Sequence, residues 1–289
     1  MSNAQAMPSA IAVGALCLWA LTMIAGCETN PYTGRHQLLM TSVSDEMKMG
    51  TQAYTQVKND PKVHLSHDPK EIEPVKRVAG KIIDAAKRSK YAEMAQQFQW
   101  EVTVIKDDKT ANAFALPGGK IAVYTGIFPV AKNEAGLAAV LGHEVTHALA
   151  RHGAERMSQG QLTNAALQVV GAAAGVSGVN PLLSQGAMAA LGAGAQVGVL
   201  LPFSRKHESE ADYIGILLAA DAGYDPRESV ALWERMERMS GGGGPSEFLS
   251  THPSHGTRIE QLKNWMPEAM AIYQTRQPVQ AADLPAVGR

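Results

Sequence analysis

Apolar residues recur at helical spacing through most of the chain and alternate with polar residues in one short stretch. Between residues 70 and 90 they return every three or four positions on one face, which predicts an amphipathic helix. Residues 98–104 alternate as in a half-buried strand, and residues 112–126 form two short extended runs around a Pro-Gly-Gly turn. Further helices are predicted at about 44–58, 133–152 and 205–222, after Asp225, and after the stretch that begins at Thr251. The pattern predicts a mainly helical α+β fold.

The first 27 residues resemble a targeting segment more than a folded element. Residues 8–27 are uncharged and mostly apolar, and they end in Ile-Ala-Gly-Cys. A large aliphatic residue and two small ones before a cysteine resemble the bacterial lipobox, which implies that Cys27 is lipidated and becomes the mature N-terminus. No Lys or Arg precedes Arg35, so the positive region usual in such signals is missing. An uncleaved membrane anchor is the alternative interpretation.

The composition suggests how the chain is divided. We expect a lipoprotein signal peptide at 1–26, a lipidated N-terminus and linker at 27–43, and one folded domain at 44–270. The last residues, 271–289, are rich in Pro, Ala and Gln, which predicts a disordered tail.

One internal segment, from Met157 to Ser204, contains no charged residue. Its Gly and Ala content, and the Asn-Pro pair at 180–181, favour two small-residue helices that pack closely over the helix predicted at 133–152. Insertion into a membrane is the alternative, because residues 182–203 are long enough to span a bilayer.

Composition narrows the candidate chemistry. The formal net charge of −1 gives no reason to expect a nucleic-acid partner, and no phosphate-binding glycine motif is present. The two cysteines, Cys17 and Cys27, both lie near the N-terminus. A metal in the body of the protein must therefore be held by histidines and carboxylates.

The stretch LGHEVTHALARH, at residues 141–152, carries the clearest chemical signal. Residues four apart lie on one face of a helix, so His143 and His147 can converge on one cation. Glu144 points about 100° away from His143, where it can reach a water on the metal but cannot join both histidines as a ligand. This arrangement predicts zinc with two histidine ligands and a general base; a surface helix with solvated histidines is the alternative.

Catalytic zinc needs a third protein ligand, and the first carboxylate after Arg156 is Glu208. Glu208 and Asp212 lie four apart on a predicted helix, so one can bind the metal while the other accepts a ring N–H from a ligand histidine. Glu210 is predicted to be solvated, and His207 to be structural rather than a ligand. The set predicts a hydrolase in which zinc lowers the pKa of water to about 7 and Glu144 transfers the proton as hydroxide attacks a carbonyl.

The motifs HEVTHALARH, ESEAD and THPSHGTR together resemble the zinc metallopeptidase family that includes the BepA and HtpX peptidases and the CaaX prenyl endopeptidases. NPYTGRHQL and NAFALPGGKIAVYTG resemble its bacterial lipoprotein branch. The resemblance implies a zincin-like (gluzincin) domain with a small β-sheet next to the HExxH helix. It also implies one zinc ion per chain, held by His143, His147 and Glu208, with Glu144 as the catalytic base.

The same resemblance assigns roles outside the HExxH helix. His252 matches a family histidine near the metal, as oxyanion stabiliser or as a reversible fourth ligand that keeps the enzyme latent. Arg258 would pair with the acids of the ligand helix, where Asp212 gives support behind the ligands. Arg151 and His152 match as support of the helix.

The NAFALPGG stretch would supply an exposed strand edge that holds an extended substrate by main-chain hydrogen bonds. Asn112, Ala113 and Phe114 are its candidate substrate-binding residues. Two features of the family are missing: the chain has no repeat module, and it lacks the multi-span architecture of the prenyl endopeptidases, which argues against lipidated substrates.

The sequence therefore predicts a zinc endopeptidase anchored to a membrane through Cys27 and facing the periplasm. The outer membrane is favoured over the inner, with misfolded or unassembled envelope proteins as substrates and outer-membrane assembly machinery as a candidate partner. A non-proteolytic zinc-stabilised chaperone for outer-membrane proteins is the alternative function, and the intact Glu144 argues against it. An integral membrane peptidase, based on 157–204, is a third interpretation.

Overall fold

The structure, a computed structural model, describes residues 27–173, 203–240 and 257–287, together with Phe248, Ser250 and His252. Five strands lie in these ranges: β1 Cys27–Thr29, β2 His36–Leu38, β3 Glu101–Ile105, β4 Ala113–Leu116 and β5 Lys120–Tyr124. The helices are α1 Val43–Asn59, α2 Pro69–Arg88, α3 Ala92–Gln97, α4 Phe128–Ala131, α5 Glu134–Leu149, α6 His152–Ala173, α7 Arg205–Asp221, α8 Arg227–Ser240 and α9 Arg258–Gln274. The predicted mainly helical α+β class is confirmed.

Most long helices begin where a polar side chain can accept from an unpaired backbone N–H of the first turn. Ser42 accepts from the N–H of residue 45 at the start of α1, and Asp68 accepts from that of residue 70 at the start of α2. Asn133 and Ser204 do the same for α5 and α7. These local signals explain why the predicted helices agree with the observed ones to within a few residues.

The three-stranded sheet has the order β3–β5–β4. β3 runs parallel to β5, with Val102 opposite Ile121, and β4 runs antiparallel to β5, with Ala115 opposite Ile121. The turn between β4 and β5 needs positive φ at Gly118 and Gly119, at 82° and 84°, which glycine adopts without strain. Because β5 lies between β3 and β4, β4 is an edge strand of this sheet. It packs against α5.

The segment at 27–43, predicted as a linker, contains a second small sheet. β1 pairs antiparallel with β2, with Glu28 opposite Gln37. The Asn30 side chain accepts from the N–H of Tyr32 and closes the turn between the strands. The N-terminal segment is thus folded onto the helical body.

The centre of the molecule is α5, and all of its residues are buried. The helix predicted at 133–152 is therefore present, at Glu134–Leu149, but it is not amphipathic. The helices α2, α7 and α8 and the strand β4 surround it, so it has no solvent face. One side of the helix carries many alanines and glycines instead of large apolar residues. These small residues allow neighbouring elements to pack closely against that side, so it is buried as well.

Among the described helices, α5 and α7 are in especially close contact. A Cβ added to Gly142 would lie 2.6 Å from the carbonyl oxygen of Gly215, and one added to Gly215 would lie 2.8 Å from the backbone nitrogen of His143. Both distances are shorter than real carbon contacts allow, so each position admits only glycine without a shift of the helices. The two glycines set the separation of the helices that carry the predicted metal ligands.

The prediction of a disordered tail at 271–289 is wrong for residues 271–287, which the structure describes. α9 continues to Gln274, and the chain after it packs along the start of α5. The N–H of Glu134 donates to the carbonyl of Ala282 at 2.9 Å, and the N–H of Leu284 donates to the carbonyl of Lys132 at 3.0 Å. The buried Leu284 side chain and these main-chain bonds order a segment whose composition alone suggested disorder.

The uncharged segment at 157–204 falls partly outside the described residues. α6 extends to Ala173, while 174–202 are not described. None of the described helices combines the length and the apolar character that a bilayer-spanning helix needs. Both interpretations of this segment stay predictions.

Replacing Gly215 by alanine should force α5 and α7 apart and destabilise the protein by about 1–3 kcal/mol, the usual cost of overpacking a core. Urea unfolding of the metal-free protein measures this change. Gly80→Ala is the matched control, because nothing lies within 4 Å of its Cβ position in α2, and it should stabilise by about 0.5–1 kcal/mol. Parent-like stability of Gly215→Ala would show that the helices are not in close contact.

Candidate metal centre

His143 and His147 lie one turn apart on α5 and turn their Nε2 atoms toward each other, 3.1 Å apart. Both rings are held from behind. The Nδ1 of His143 donates to Asp212 Oδ1 at 2.9 Å, and the Nδ1 of His147 lies 3.0 Å from the Nδ1 of His152. The Nε2 lone pairs therefore face a common point inside the protein.

The helix α7 brings Glu208 to the same point. Its two carboxylate oxygens lie 3.5 Å from the Nε2 atoms of His143 and His147, and the residue is fully buried. Burial alone would raise the pKa of the Glu208 carboxyl. The neighbouring imidazoles, that of His252 first, outweigh burial and lower this pKa well below its usual range. Glu208 is thus ionised and available to a cation.

His252 completes the cluster from the chain between α8 and α9. Its Nδ1 lies 3.2 Å from His143 Nε2 and 3.0 Å from Glu208 Oε1. Its ring stacks on Phe248, with centroids 4.6 Å apart. The predicted proximity of His252 to the ligand set is therefore present in the structure.

The four side chains of this cluster fit one tetrahedral zinc ion. Their ligand atoms all lie within 4.8 Å of one another. Two nitrogens at ordinary zinc–nitrogen distances and the tetrahedral angle lie about 3.3 Å apart, close to the observed 3.1 and 3.2 Å. Burial lowers the pKa of His147 well below its usual value, so this ring is neutral and keeps the lone pair that a metal requires. The cluster is suited to binding one zinc ion.

Glu144 lies beside the cluster, and one of its carboxylate oxygens makes no hydrogen bond with the described residues. Its Oε1 is buried, accepts no hydrogen bond from the residues that the structure describes, and lies 3.4 Å from His252 Nε2. The N–H of Ala115 donates to the carboxylate from the edge of β4. Burial raises the pKa of the Glu144 carboxyl above its usual value. A buried carboxylate that binds a proton more readily than usual has the properties of a general base.

Arg258 joins the two carboxylates that face the histidines. Its guanidinium donates to Asp212 and to Glu208, in both cases at 2.5 Å, and it lies over the ring of Trp233 with its central carbon 3.6 Å from the centroid. The expectation that Glu208 and Asp212 share one face of α7 agrees with this arrangement. A single cation therefore fixes both carboxylates.

A cleft extends from the cluster along β4. Asn112 is buried at its wall and accepts from the N–H of Ala113 at 2.9 Å, so its side chain is turned to its own backbone. Phe114 lies in the same wall. The lining is formed by residues 112–117, Glu144, His147, Phe203, His252 and part of α6.

A second buried cluster, behind His147, was missed by the sequence analysis. Glu210, predicted to be solvated, is buried and accepts from Arg35 at 2.7 Å and from Thr33. The Nε2 of His152 lies 3.1 Å from a Glu210 oxygen. Burial alone would raise the pKa of Glu210, but the hydrogen bonds from His152, Arg35 and Thr33 lower it to about 2.

Arg35 also binds Glu155, with both arms of its guanidinium at 2.6 and 2.7 Å. His207 approaches the same carboxylate, 3.0 Å from Oε2, which agrees with its predicted structural role. No local sequence pattern predicts this cluster, because Arg35 and Glu210 are separated by 175 positions. The NPYTGR motif contains Arg35 and was the one sequence feature that pointed to this region. It supported the family resemblance but did not indicate a partner for Arg35.

Arg151 supports the C-terminal end of α5, as predicted. It adopts a φ of 56°, and its guanidinium donates to Glu46 at 2.6 and 3.0 Å, to the Thr41 carbonyl at 2.8 Å and to Glu28. Arg151 therefore ties the HExxH helix to α1 and to β1.

A helix with paired histidines and a glutamate, facing a carboxylate from a second helix, defines the class of HExxH zinc metallopeptidases. Within this class the chain belongs to peptidase family M48, whose sequence profile matches residues 69–266. The predicted family, the zinc cofactor and the endopeptidase activity are thereby confirmed. The protein is a zinc metalloendopeptidase.

Named relatives agree with this assignment. Mitochondrial metalloendopeptidase OMA1 of Schizosaccharomyces pombe is 39% identical over 248 residues, covering 85% of this chain and 68% of that protein. Mitochondrial metalloendopeptidase OMA1 of Saccharomyces cerevisiae is 32% identical over 254 residues, covering 84% and 70%. Beta-barrel assembly-enhancing protease of Escherichia coli K12 is 28% identical over 240 residues, which is 82% of this chain and 47% of that protein.

Removing the cation between the two carboxylates should destabilise the metal-free protein strongly. Arg258→Met leaves Glu208 and Asp212 buried without their partner, and breaking such a buried pair costs about 3–5 kcal/mol. Urea unfolding measures the loss, which should shrink when zinc is added because the metal replaces part of the missing positive charge.

Arg227→Met is the control for that experiment, because it removes an arginine from an exposed ion pair with Asp225. It should leave the stability close to that of the parent. An equally small change for Arg258→Met would show that the buried carboxylates do not depend on this arginine.

Proposed function

We propose that this chain cleaves peptide bonds at the buried cluster, with His143, His147 and Glu208 as zinc ligands and Glu144 as general base. The observation that carries the proposal is the buried Oε1 of Glu144, which accepts no hydrogen bond from the described residues and lies beside a four-residue set of ligand atoms. Zinc held there would polarise a carbonyl and lower the pKa of water. Histidine and carboxylate donors are the set that catalytic zinc prefers.

The chain's own residues divide the remaining work. Glu144 accepts a proton from the attacking water and delivers it to the departing amine, and its raised pKa suits both transfers. Asp212 accepts from His143 Nδ1 and so keeps the Nε2 of that ring free for the metal. Arg258 holds Asp212 and Glu208 in place.

His252 has two candidate roles in this mechanism. Its Nε2 lies 3.4 Å from Glu144 Oε1, where a ring N–H can stabilise negative charge on the substrate oxygen. Its Nδ1 lies as close to His143 Nε2 as a fourth ligand does, which supports a latent state. Substitution of His252 by alanine separates the roles, because only loss of a latent ligand raises activity.

An extended substrate would lie along the edge of β4 that does not pair with β5. Antiparallel pairing with β5 uses one side of β4, and the other side faces the cleft and α5. Asn112, Ala113 and Phe114 lie at this edge, and the Asn112 side chain occupies the outward N–H of Ala113. A bound substrate strand would form hydrogen bonds with the main-chain groups of this edge. It would replace the Asn112 side-chain amide as the partner of the Ala113 N–H.

We further propose that the substrates are misfolded or unassembled proteins of a bacterial envelope, and that Cys27 anchors the enzyme to the outer membrane on the periplasmic side. The apolar run before Cys27 and its lipobox-like ending support this location. The name of the E. coli relative supports a link to outer-membrane assembly machinery. Other relatives are named as mitochondrial enzymes, so compartment and substrate are tested separately from the chemistry.

Glu144→Gln should abolish cleavage of an unfolded model protein by the zinc-loaded enzyme while zinc content stays at one ion per chain. The amide cannot accept the proton, and it preserves the shape of the side chain. His147→Ala is the comparison variant and should lose zinc as well as activity. Equal cleavage by Glu144→Gln and the parent would refute the proposed base. A cellular phenotype rescued by Glu144→Gln and not by His147→Ala would favour the chaperone.

Cys27→Ser should release the protein from the membrane fraction of a Gram-negative host, because serine lacks the sulfur through which the lipid is attached to this cysteine. Fractionation of cells that express the parent and the variant measures this change. Cys17→Ser is the matched control and should leave the parent's distribution unaltered. Retention of Cys27→Ser in the membrane fraction would favour an uncleaved N-terminal anchor.

A further inference from the structure

The buried cluster behind His147 forms a continuous path from the N-terminal segment to the metal centre. Arg35 donates to Glu210 at 2.7 Å, and His152 Nε2 lies 3.1 Å from the same carboxylate. His152 Nδ1 in turn lies 3.0 Å from His147 Nδ1. Each contact is within hydrogen-bond distance, and His152, Glu210 and His147 are all buried.

The requirement of a metal ligand fixes the direction of every proton along this path. If His147 binds zinc through Nε2, its other ring nitrogen must carry the proton and donate. His152 must then accept at Nδ1, so its own proton lies on Nε2. That proton needs an acceptor, and the Glu210 carboxylate supplies one. The opposite tautomer of His152 would point two N–H groups at each other.

Arg35 allows Glu210 to stay ionised and to accept a hydrogen bond from His152 Nε2. A carboxylate buried without a positive partner would be costly, and the guanidinium of Arg35 provides the charge together with a hydrogen bond. The Thr33 hydroxyl donates to the other oxygen of Glu210 and leaves the first oxygen for Arg35 and His152. The turn between β1 and β2 therefore holds the carboxylate in a fixed orientation.

We propose that Arg35 is a positioning residue of the metal centre: through Glu210 it fixes the tautomer of His152, and His152 thereby holds His147 as a zinc ligand. This inference rests on the proposed role of His147. His143 has a direct carboxylate partner in Asp212, whereas His147 reaches its carboxylate through a second imidazole. The positioning residue lies outside residues 69–266, the part of the chain that the family profile matches.

Glu155 offers a matched control within the same cluster. It is buried and binds the same arginine at 2.6 and 2.7 Å, but its imidazole partner is His207 and not His152. Replacing either glutamate by methionine removes one buried negative charge from Arg35. Only the change at Glu210 removes the acceptor that fixes His152.

The first test measures the zinc dissociation constant of the full chain by competition with a chelator. Glu210→Met and Arg35→Met should each weaken zinc binding about 10–100-fold, the usual effect of losing a partner behind a ligand. The double variant should be no weaker than the single ones, because both act through one path. Glu155→Met should keep the parent's constant. Equal weakening by both glutamate variants, or by neither, would overturn the proposal.

A second measurement needs no substitution and so does not depend on how the variants fold. Long-range proton–nitrogen NMR spectra of the zinc-loaded parent, with labelled histidine, report which ring nitrogen carries each proton. The proposal requires the proton on Nε2 of His152 and on Nδ1 of His147, and a proton on Nδ1 of His152 would contradict it. Neither test uses peptide cleavage, so this proposal and the proposed activity can fail independently.

Discussion

Two carboxylates buried against α5, a helix with no solvent-facing side, constrain much of the structure. Glu208 and Asp212 are withdrawn from water on α7, and desolvation of such groups is costly unless each finds opposite charge and hydrogen-bond donors. Arg258 supplies one positive charge to both. Two carboxylates and one guanidinium leave one net negative charge next to His143 and His147. This charge favours a divalent cation between the carboxylates and the histidines.

This constraint explains the packing around α5. The carboxylates reach the histidines only if the two helices approach closely, and Gly142 and Gly215 make that approach sterically allowed. Close approach on one side, with α2, α8 and β4 on the others, removes any solvent face from α5. The buried position of Glu144 follows from the same arrangement, because it projects from this helix toward the edge of β4. Burial then raises its pKa, so the property that suits it to proton transfer comes from packing that serves the ligands.

Features that depend on local spacing could be predicted, and features that depend on distant contacts could not. The four-residue separation of His143 and His147 specifies one helix face, and the predicted helix boundaries follow from capping residues that are adjacent in sequence. His252 and Arg258 were placed near the metal only through a family resemblance, because no periodicity connects them to α5. Glu210 was predicted to be solvated since its direction on α7 differs from that of Glu208, and its half-buried partner Arg35 comes from a turn 175 positions away. The ordered tail was missed for the same reason: composition does not reveal that backbone groups at 132–134 accept and donate to it.

The N-terminal segment belongs physically to the catalytic unit. The predicted domain boundary at residue 44 leaves the β1–β2 hairpin outside the catalytic domain. Side chains of this hairpin are nevertheless hydrogen-bonded to α7 and to the residue that follows α5. Gln37 donates to the Ala150 carbonyl at 2.7 Å just after α5, and Arg35 reaches Glu210 on α7. Three acidic residues on α7 thus have different routes to the metal centre: Glu208 faces it directly, Asp212 acts on His143, and Glu210 acts on His147 through His152. Only the third route needs a residue from outside the matched family region, so an otherwise intact HExxH helix depends on this hairpin for the orientation of its second histidine.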